Sequence, residues 1–181
     1  MNNTYPTSYG SPVIVNFPTQ DAARNGEFFF TTTGTQTVAN GNFLSFQISN
    51  NSKQQIYINS ITVTFITQGK KQDDQFSEFD FFKNPTTFTV AGTAETIWNA
   101  NFKLPDGIAG ITAKYDPVNN QFAGLSPFAT YNQNVGVTMI NLSGSIIIPP
   151  GNSLGMRLNN SSTTATSAVQ ASFNVNFWAG V

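Results

Sequence analysis

The absence of two residue types limits the chemistry open to this chain. None of its 181 residues is Cys or His, which excludes disulfides, thiolate nucleophiles and the commonest general base and metal ligand. Carboxylates are therefore the main candidates for proton transfer or for holding a hard metal ion. No run resembles a phosphate-binding or dinucleotide-binding glycine motif, and we expect no cofactor.

The densest group of carboxylates lies between residues 70 and 83. These fourteen positions hold three Lys and four acidic residues, seven of the chain's 17 charged side chains (8 basic and 9 acidic). The acidic residues are Asp73, Asp74, Glu78 and Asp80. Their oxygens would suit calcium, but their spacing matches no EF-hand loop and four Phe residues interrupt it. We interpret the segment as a solvated, salt-bridged loop or as a contact between subunits.

Two further glutamates, Glu27 and Glu95, fall in or beside predicted strands. A facing pair of carboxylates can hydrolyse a glycosidic bond, but the sequence predicts no cleft between these two, and a lone Glu on a strand usually faces solvent. We therefore predict that the chain is not an enzyme and that it has no catalytic, cofactor-binding or metal-binding residues.

Aromatic residues point to a different kind of site, because carbohydrate-binding sandwiches present planar rings beside amide side chains. The candidates are Trp98, Trp178, Tyr115 and Tyr131. The aromatic residues are, however, mostly Phe (17, against 2 Trp and 5 Tyr), and Phe favours cores and dry interfaces. Trp98 begins and Trp178 closes an alternating stretch, which favours packing for both. Carbohydrate binding stays open as an alternative.

Charge is sparse along the whole chain. Charged residues make up 9% of it, against about 25% in an average soluble protein, and Asn, Thr, Ser and Gln supply the polar surface instead. Few groups can then change protonation on unfolding, so we expect stability to vary little with pH. The net charge is −1 and the first 23 residues contain no Lys or Arg, so we expect no direct binding of nucleic acid.

Period-two alternation of apolar and polar residues predicts antiparallel strands along most of the chain. The alternating sets are Leu44, Phe46 and Ile48; Ala100, Phe102 and Leu104; Leu154, Met156 and Leu158; and the long run at 169–177. Apolar residues switch from even to odd positions between Ile58 and Ile61, which predicts a bulge near Asn59 and Ser60. The continuous apolar run at 146–148 predicts a strand buried on both faces.

Turn-forming residues separate these stretches at 50–52, 105–107 and 149–152, and the dipeptide Asn40-Gly41 predicts a hairpin. Eight to ten strands result, with at most one helical turn at 21–27. This pattern predicts an all-β fold, an antiparallel β-sandwich of jelly-roll topology, with an immunoglobulin-like sandwich as the runner-up. We assign residues 21–181 to a single jelly-roll domain.

Residues 1–20 form a predicted extended N-terminal arm. Its apolar residues are Val13, Ile14, Val15 and Phe17. Pro12 and Pro18 enclose them and limit such a strand to a sheet edge, either in its own sheet or in that of a neighbouring subunit. The N-terminus lacks a cationic start and an apolar run, and no stretch reaches about 18 apolar residues, so we expect synthesis without a signal peptide and no transmembrane segment.

The charge-poor surface, the arm and the 149–151 turn before a strand give the chain a family resemblance. It resembles the single jelly-roll structural proteins of virions. More weakly, it is similar to the leaderless jelly-roll subunits of bacterial spore appendages, whose N-terminal arms link neighbours, although the absence of Cys departs from the disulfide-linked ones. The resemblance rests on architecture over the whole length, and no functional residue is carried over.

The resemblance implies a non-enzymatic structural subunit that assembles with copies of itself, and with other virion or appendage proteins, into an extracellular particle. A viral capsid is the first interpretation. A pilus-like or spore-appendage filament built by donor strands is one alternative, and a carbohydrate-binding β-sandwich module is another.

Overall fold

The structure, a computed structural model, describes residues 3–6, 12–15, 18–67, 76–86, 88, 92–160 and 168–180. Within these ranges the chain forms fourteen strands and one short helix, α1 (Pro18–Arg24). The strands are β1 (Asn3–Pro6), β2 (Pro12–Val15), β3 (Phe28–Thr32), β4 (Gln36–Val38), β5 (Phe43–Asn50), β6 (Gln55–Thr67), β7 (Phe76–Lys83), β8 (Thr93–Glu95), β9 (Trp98–Asn99), β10 (Ile111–Asp116), β11 (Ala129–Asn134), β12 (Gly136–Ile148), β13 (Asn152–Asn159) and β14 (Val169–Gly180).

Twelve of these strands form two six-stranded sheets that enclose one core. The β14 sheet has the order β12-β6-β14-β3-β9, with β4 also pairing with β14. The β13 sheet has the order β11-β7-β13-β5-β10-β8. Every pairing in both sheets is antiparallel. The predicted all-β antiparallel sandwich is confirmed.

The order of the strands is that of a jelly roll. β3 pairs with β14, β5 with β13, β6 with β12 and β7 with β11, which gives four nested antiparallel pairs. β3 and β6 belong to the β14 sheet, whereas β5 and β7 belong to the β13 sheet. A long hairpin folded over itself produces this alternation between two sheets, so the predicted jelly-roll topology is confirmed. Residues 84–128, between β7 and β11, are an insertion that adds β8 and β10 to one sheet and β9 to the other.

The core lies between the sheets and is built from the alternating strands. Leu44, Phe46 and Ile48 of β5 are fully buried. The rings of Phe46 and Phe173 stack across the two sheets with their centroids 6.3 Å apart. The predicted apolar sets at 154–158 and 169–177 are buried in the same cluster, and each large side chain buried there contributes about 1.5–3 kcal/mol. These three strand predictions are confirmed.

A bulge in β6 accommodates the switch in its apolar positions. Asn176 pairs with Ser60, and the next residue, Phe177, pairs with Ile58, so the register skips Asn59. Ile58 and Ile61 are then both fully buried. On the other side of β6 the register skips residues 142–145 of β12. The predicted bulge near Asn59 and Ser60 is confirmed.

Two predicted strands differ from the structure. β9 ends at Asn99, and residues 100–104 form a turn in which Phe102 is 98% exposed. The side chains of Asn99 and Asn101 accept hydrogen bonds from the backbone N–H groups two residues further on, at 2.8 and 3.2 Å, and such turns compete with strand pairing. Residues 146–148 do end β12, but Ile147 is exposed and Ile148 is buried, so this strand is buried on one face only.

Two predicted turns are present, and each connects strands that belong to different sheets. Asn40-Gly41 lies between β4 and β5, which belong to opposite sheets, so the predicted hairpin is wrong. At 149–152 the N–H of Asn152 donates to the carbonyl of Pro149 at 3.1 Å, and Gly151 has φ 78°, a conformation that favours Gly in this type of turn. This turn also crosses between the sheets, from β12 to β13.

The N-terminal strands stand apart from the two sheets. Val13, Ile14 and Val15 lie in β2, which pairs with β1 in a separate two-stranded sheet, and Phe17 lies outside the described residues. α1 crosses the predicted boundary between residues 20 and 21 and begins earlier than the predicted helical turn. The division into an arm and a domain stays a prediction.

Candidate assembly surface

The outer face of the β13 sheet is covered by the 84–128 insertion. Phe82 of β7 packs with Phe88 and Phe122 of the insertion in a second apolar cluster, with the ring centroids of Phe82 and Phe122 4.8 Å apart. Ser45 points outward on β5, yet it is fully buried and donates to the carbonyl of Asn119 at 2.9 Å. The insertion therefore buries part of this face, whereas Thr112 of β10 and Glu78 of β7 stay exposed.

An ion pair under this cover ties β7, β11 and β13 together. Arg157 Nη2 and Nε donate to Asp80 Oδ2 at 2.5 and 3.2 Å, and Thr130 donates to Asp80 Oδ1 at 2.6 Å. Arg157 Nη1 donates to Asn120 Oδ1 at 3.0 Å, and the guanidinium lies 5.0 Å from the centroid of the Phe82 ring. Asp80 is 1% exposed and bonds to two neighbouring strands of its own sheet, whereas the bond from Arg157 to Asn120 joins the sheet to its cover.

This arrangement corrects the predicted acidic loop at 70–83. Glu78 and Asp80 lie in β7 and not in a loop, and burial makes Asp80 inaccessible to another subunit. Glu78 is exposed, whereas Asp73 and Asp74 lie outside the described residues. A subunit contact through Glu78 stays a prediction. In the described parts of the chain, no three acidic side chains are grouped so that they could hold a metal ion.

The carboxylate of Asp116 organises the turn after β10. Its Oδ1 accepts hydrogen bonds from the backbone N–H groups of Val118 and Asn119 at 2.8 and 3.1 Å. Its Oδ2 accepts from the side-chain amides of Asn119 and Gln121 at 2.9 and 2.6 Å. Burial by itself raises the pKa of Asp116, but these four hydrogen bonds outweigh it and hold the pKa below the ordinary value of 3.8. The carboxylate thus has a structural role in its turn.

The two candidate catalytic glutamates belong to different sheets. Glu27 precedes β3 and is exposed, whereas Glu95 ends β8 at the edge of the β13 sheet. Burial raises the pKa of Glu95, and a hydrogen bond with the backbone of Thr96 offsets part of this effect. The structure places these residues apart and not as a facing pair.

The outer face of the β14 sheet, which we call the open face, is uncharged. None of the six strands of this sheet contains a charged residue. The strand registers arrange its outward side chains in cross-strand rows that run from β9 or β3 to β12. The first row is Phe28, Trp178, Tyr57 and Ile147; the second is Trp98, Phe30, Asn176, Ser60 and Asn141; the third is Thr32, Asn174, Thr62 and Met139.

Large apolar side chains are exposed over much of the open face. They are Phe30, Ile66, Trp98, Val137, Met139 and Ile147. Val137 and Met139 on β12 are each 67% exposed, and Trp98 on β9 is 53% exposed. Apolar patches that span several strands mark interaction sites more often than single exposed residues do.

The polar side chains of the open face bond mainly to one another. Thr32 Oγ1 donates to Asn174 Oδ1 at 2.6 Å, and Asn59 Nδ2 donates to Asn176 Oδ1 at 2.8 Å. Asn176 Nδ2 in turn donates to Ser60 Oγ at 2.8 Å. Because these partners stay bonded when water is removed, covering the face costs less than covering unpaired amides would.

β12 adds a long edge beside the open face. It is a thirteen-residue strand at the end of the β14 sheet. It contains neither Pro nor a charged residue, two features that commonly prevent pairing between sheet edges. The bulge at 142–145 is its one irregularity in register. Such an edge can accept a strand from another chain.

The four aromatic residues proposed for carbohydrate binding do not form one site. Trp98 and Trp178 belong to the β14 sheet, whereas Tyr115 and Tyr131 belong to the β13 sheet. Trp178 is stacked on Tyr57 with their ring centroids 5.6 Å apart, and Tyr131 is stacked on Phe79 at 5.1 Å. The predicted packing role is thus confirmed for Trp178, whereas it is wrong for Trp98, which is 53% exposed.

Comparisons with known proteins do not assign the chain to a family. No protein-family model and no curated protein matches it. A chain from the three-dimensional structure of Cocksfoot mottle virus aligns with 82% of this chain and 93% of its own length, at 11% identity and a TM-score of 0.23. A TM-score this low carries no argument, and the fold assignment rests on the strand order. Among the described residues, no helix is long and apolar enough to cross a membrane.

The open face was not singled out from the sequence, although its signal was present. The polar positions of β14 and β6 are Asn, Ser, Thr and Gln throughout the alternating runs, and no Lys, Arg, Asp or Glu replaces them. An ordinary exposed sheet face would carry several charges. The missing information was the register, which brings these neutral positions together with exposed residues of β9 and β12.

Proposed function

We propose that this chain is a non-enzymatic structural subunit that assembles with copies of itself into an extracellular particle, most simply a viral capsid. The observation that carries the proposal is the open face, an uncharged sheet surface with six exposed large apolar side chains. A second copy suits such a surface because neither copy brings a charge that would be desolvated without a partner.

The size of the open face supports a stable contact. β14 and β6 pair along twelve residues, and β12 on one side and the shorter β3 and β4 on the other widen the face to four strands, so it measures at most about 20 Å by 40 Å, or about 800 Å². A standard protein–protein interface buries about 800 Å² on each partner. One open face is therefore large enough for one subunit contact.

The N-terminal strands give a second proposed link. A two-stranded hairpin such as β1–β2 is at best marginally stable alone in water, so it gains stability by adding to another sheet. The β12 edge of a neighbouring subunit is a suitable acceptor, and Val13, Ile14 and Val15 supply the apolar side chains of the donor. The same link would serve the alternative function, a filament subunit, since shell and filament differ in the symmetry operator that relates their subunits.

Two further parts of the proposal follow from charge. We propose no direct contact with nucleic acid, because the whole chain has only eight Lys and Arg residues and coating a nucleic acid by neutralisation needs many cations. Other virion or appendage proteins would then lie between the subunits and any genome.

The test compares a charge placed on the open face with the same charge placed elsewhere. Met139→Lys puts a cation at an exposed position of β12 on the open face, whereas Thr112→Lys puts one at an exposed position of β10 in the other sheet. We expect wild type and Thr112→Lys to form the same particles in negative-stain images and light scattering, and Met139→Lys to form none of these particles.

Three results would count against the proposal. If wild type remains monomeric across the concentrations tested, the chain is not a self-assembling subunit. If Met139→Lys assembles like wild type, the open face is not the contact. If the monomer binds immobilised neutral glycans and the substitution Trp98→Ala abolishes that binding, the carbohydrate-binding alternative replaces the proposal.

A further inference from the structure

Phe102 is a large apolar side chain presented to solvent at the tip of a turn. It is 98% exposed, and it lies three residues after the end of β9, at one edge of the β14 sheet. Aromatic residues, Phe included, are enriched in binding interfaces relative to the rest of the protein surface.

Hydrogen bonds hold the turn that carries Phe102 in one shape. Asn101 donates its side-chain amide to the carbonyl of Arg24 at 3.2 Å, and Leu104 donates its N–H to the carbonyl of Asn101 at 2.9 Å. The buried side chain of Asn99 donates to the carbonyl of Gly26 at 3.0 Å. A ring on such a turn loses little conformational entropy when it binds.

An apolar groove lies at the opposite edge of the same sheet. It is a cavity of about 420 Å³ beside the end of β12. Its lining residues are the apolar Phe128, Ile146, Ile147, Ile148, Pro149 and Leu154, together with Lys83, Asn84, Asn152 and Ser153. Phe128 and Ile147 are 51% and 46% exposed, so the groove offers an accessible apolar surface for a ring.

The turn and the groove lie at the two ends of one cross-strand row. The N–H of Ala100 donates to the carbonyl of Phe28 at 2.8 Å, which places the turn beside the start of the first row. That row continues through Trp178 and Tyr57 to Ile147, which lines the groove. A copy displaced sideways along this row would bring its Phe102 next to the groove of its neighbour.

We infer that Phe102 of one copy inserts into this groove of the next copy, so that subunits join edge to edge in a head-to-tail manner. The inference rests on the proposed self-assembly and adds to the open-face contact a second contact of different symmetry. Contacts between two different surfaces close into rings or continue as open filaments, whereas a contact of one surface with itself stops at a dimer. The charged residues adjacent to the two surfaces, Lys103 and Lys83, have the same sign, so the contact depends on apolar burial and persists in high salt.

The absence of Cys allows a direct cross-linking test. The double variant Phe102→Cys with Ile147→Cys places one thiol on each surface, and three strand spacings or more, about 14 Å, separate the two positions within one chain. A disulfide needs Cα atoms within about 7 Å, so any bond that forms joins two chains. We expect a ladder of dimers, trimers and higher species on non-reducing gels after mild oxidation.

Matched controls separate this contact from random collisions. A mixture of the two single variants should give dimers and no ladder, and Phe102→Cys combined with Thr112→Cys should give no ladder. Phe102→Ala should weaken association about tenfold to a hundredfold, the effect of burying one Phe ring, whereas Lys103→Ala removes a charge of the same sign as Lys83 and should not weaken association.

The outcomes also separate the inference from the proposed function. If the wild-type chain assembles but the double variant gives no ladder and Phe102→Ala associates normally, the head-to-tail contact is wrong and self-assembly stands. If the single variant Phe102→Cys alone gives strong dimers, the turn meets its own copy and the heterologous contact is refuted. If the wild-type chain does not assemble at all, the proposed function fails, and this inference fails with it.

Discussion

The substitution Arg157→Ala removes the cation from beside a buried carboxylate. Asp80 keeps its hydrogen bond from Thr130 but loses two from the guanidinium, at 2.5 and 3.2 Å, and Asn120 loses one more. Breaking a buried ion pair by removing one partner costs about 3–5 kcal/mol. Since the Arg157 side chain is 17% exposed, we expect a loss of about 3 kcal/mol, a large share of the 5–15 kcal/mol typical of a domain.

Urea unfolding followed by tryptophan fluorescence measures this loss, at concentrations where light scattering shows monomers, because assembly would add its own stability. The double variant Asp80→Ala with Arg157→Ala should lose less than the sum of the two single variants, by about 1–3 kcal/mol, because the buried charge leaves with its partner. Lys53→Ala, at an exposed turn, is the control and should change stability by less than about 0.5 kcal/mol. If Arg157→Ala is as stable as this control, the ion pair does not hold the cover to the sheet.

Three further predictions concern single features of the fold. Asp116→Asn should lower the unfolding free energy at pH 7. Because the folded-state pKa of Asp116 lies below 3.8, this difference from wild type should shrink as the pH falls below about 3.8, and a constant difference down to pH 2 would contradict its origin in the carboxylate. Gly144 and Gly151 have similar positive φ angles, 82° and 78°, but a Cβ at Gly144 would lie 2.6 Å from the Trp178 ring whereas one at Gly151 would meet nothing within 4 Å. Gly151→Ala should therefore lower the stability measured in thermal melts by about 1 kcal/mol, and Gly144→Ala should lower it clearly more. Equal losses would count against the contact with Trp178. Deleting residues 1–18 should leave a folded chain by circular dichroism that no longer forms the native particle in light scattering, and an insoluble product would mean that β1 and β2 are part of the subunit's own fold.

The sequence was sufficient to predict features that depend on local side-chain alternation. Phe46 and its neighbours on β5 alternate cleanly, and the change of parity between Ile58 and Ile61 located the bulge to the residue that the register skips. Alternation is the direct consequence of one buried sheet face, so these predictions needed no knowledge of the partner strands. The same rule failed at Phe102, because three residues of alternation are outweighed by the hydrogen bonds of the Asn99 and Asn101 side chains.

Features that depend on distant parts of the chain could not be predicted. Asp80 was interpreted as a loop residue, and its partner Arg157 is 77 positions away. The cover over the β13 sheet places Asn119 next to Ser45 across 74 positions. The open face has the same origin, since Thr32 and Asn174, which share a hydrogen bond, are 142 positions apart. Each requires the jelly-roll register, which the residue pattern of one strand does not contain.

The central position of β14 has a consequence for the order of events during synthesis. A ribosome releases the chain from its N-terminus, and domains generally fold as units once their residues are available. β14 lies between β6 and β3 and supplies Asn174, Asn176 and Trp178 to the middle of the open face. Until residues 169–180 have emerged, β3 and β6 have no shared partner strand, and the open face does not exist. Under the proposed function, nascent chains on one polysome therefore cannot join through the open face before β14 has been translated.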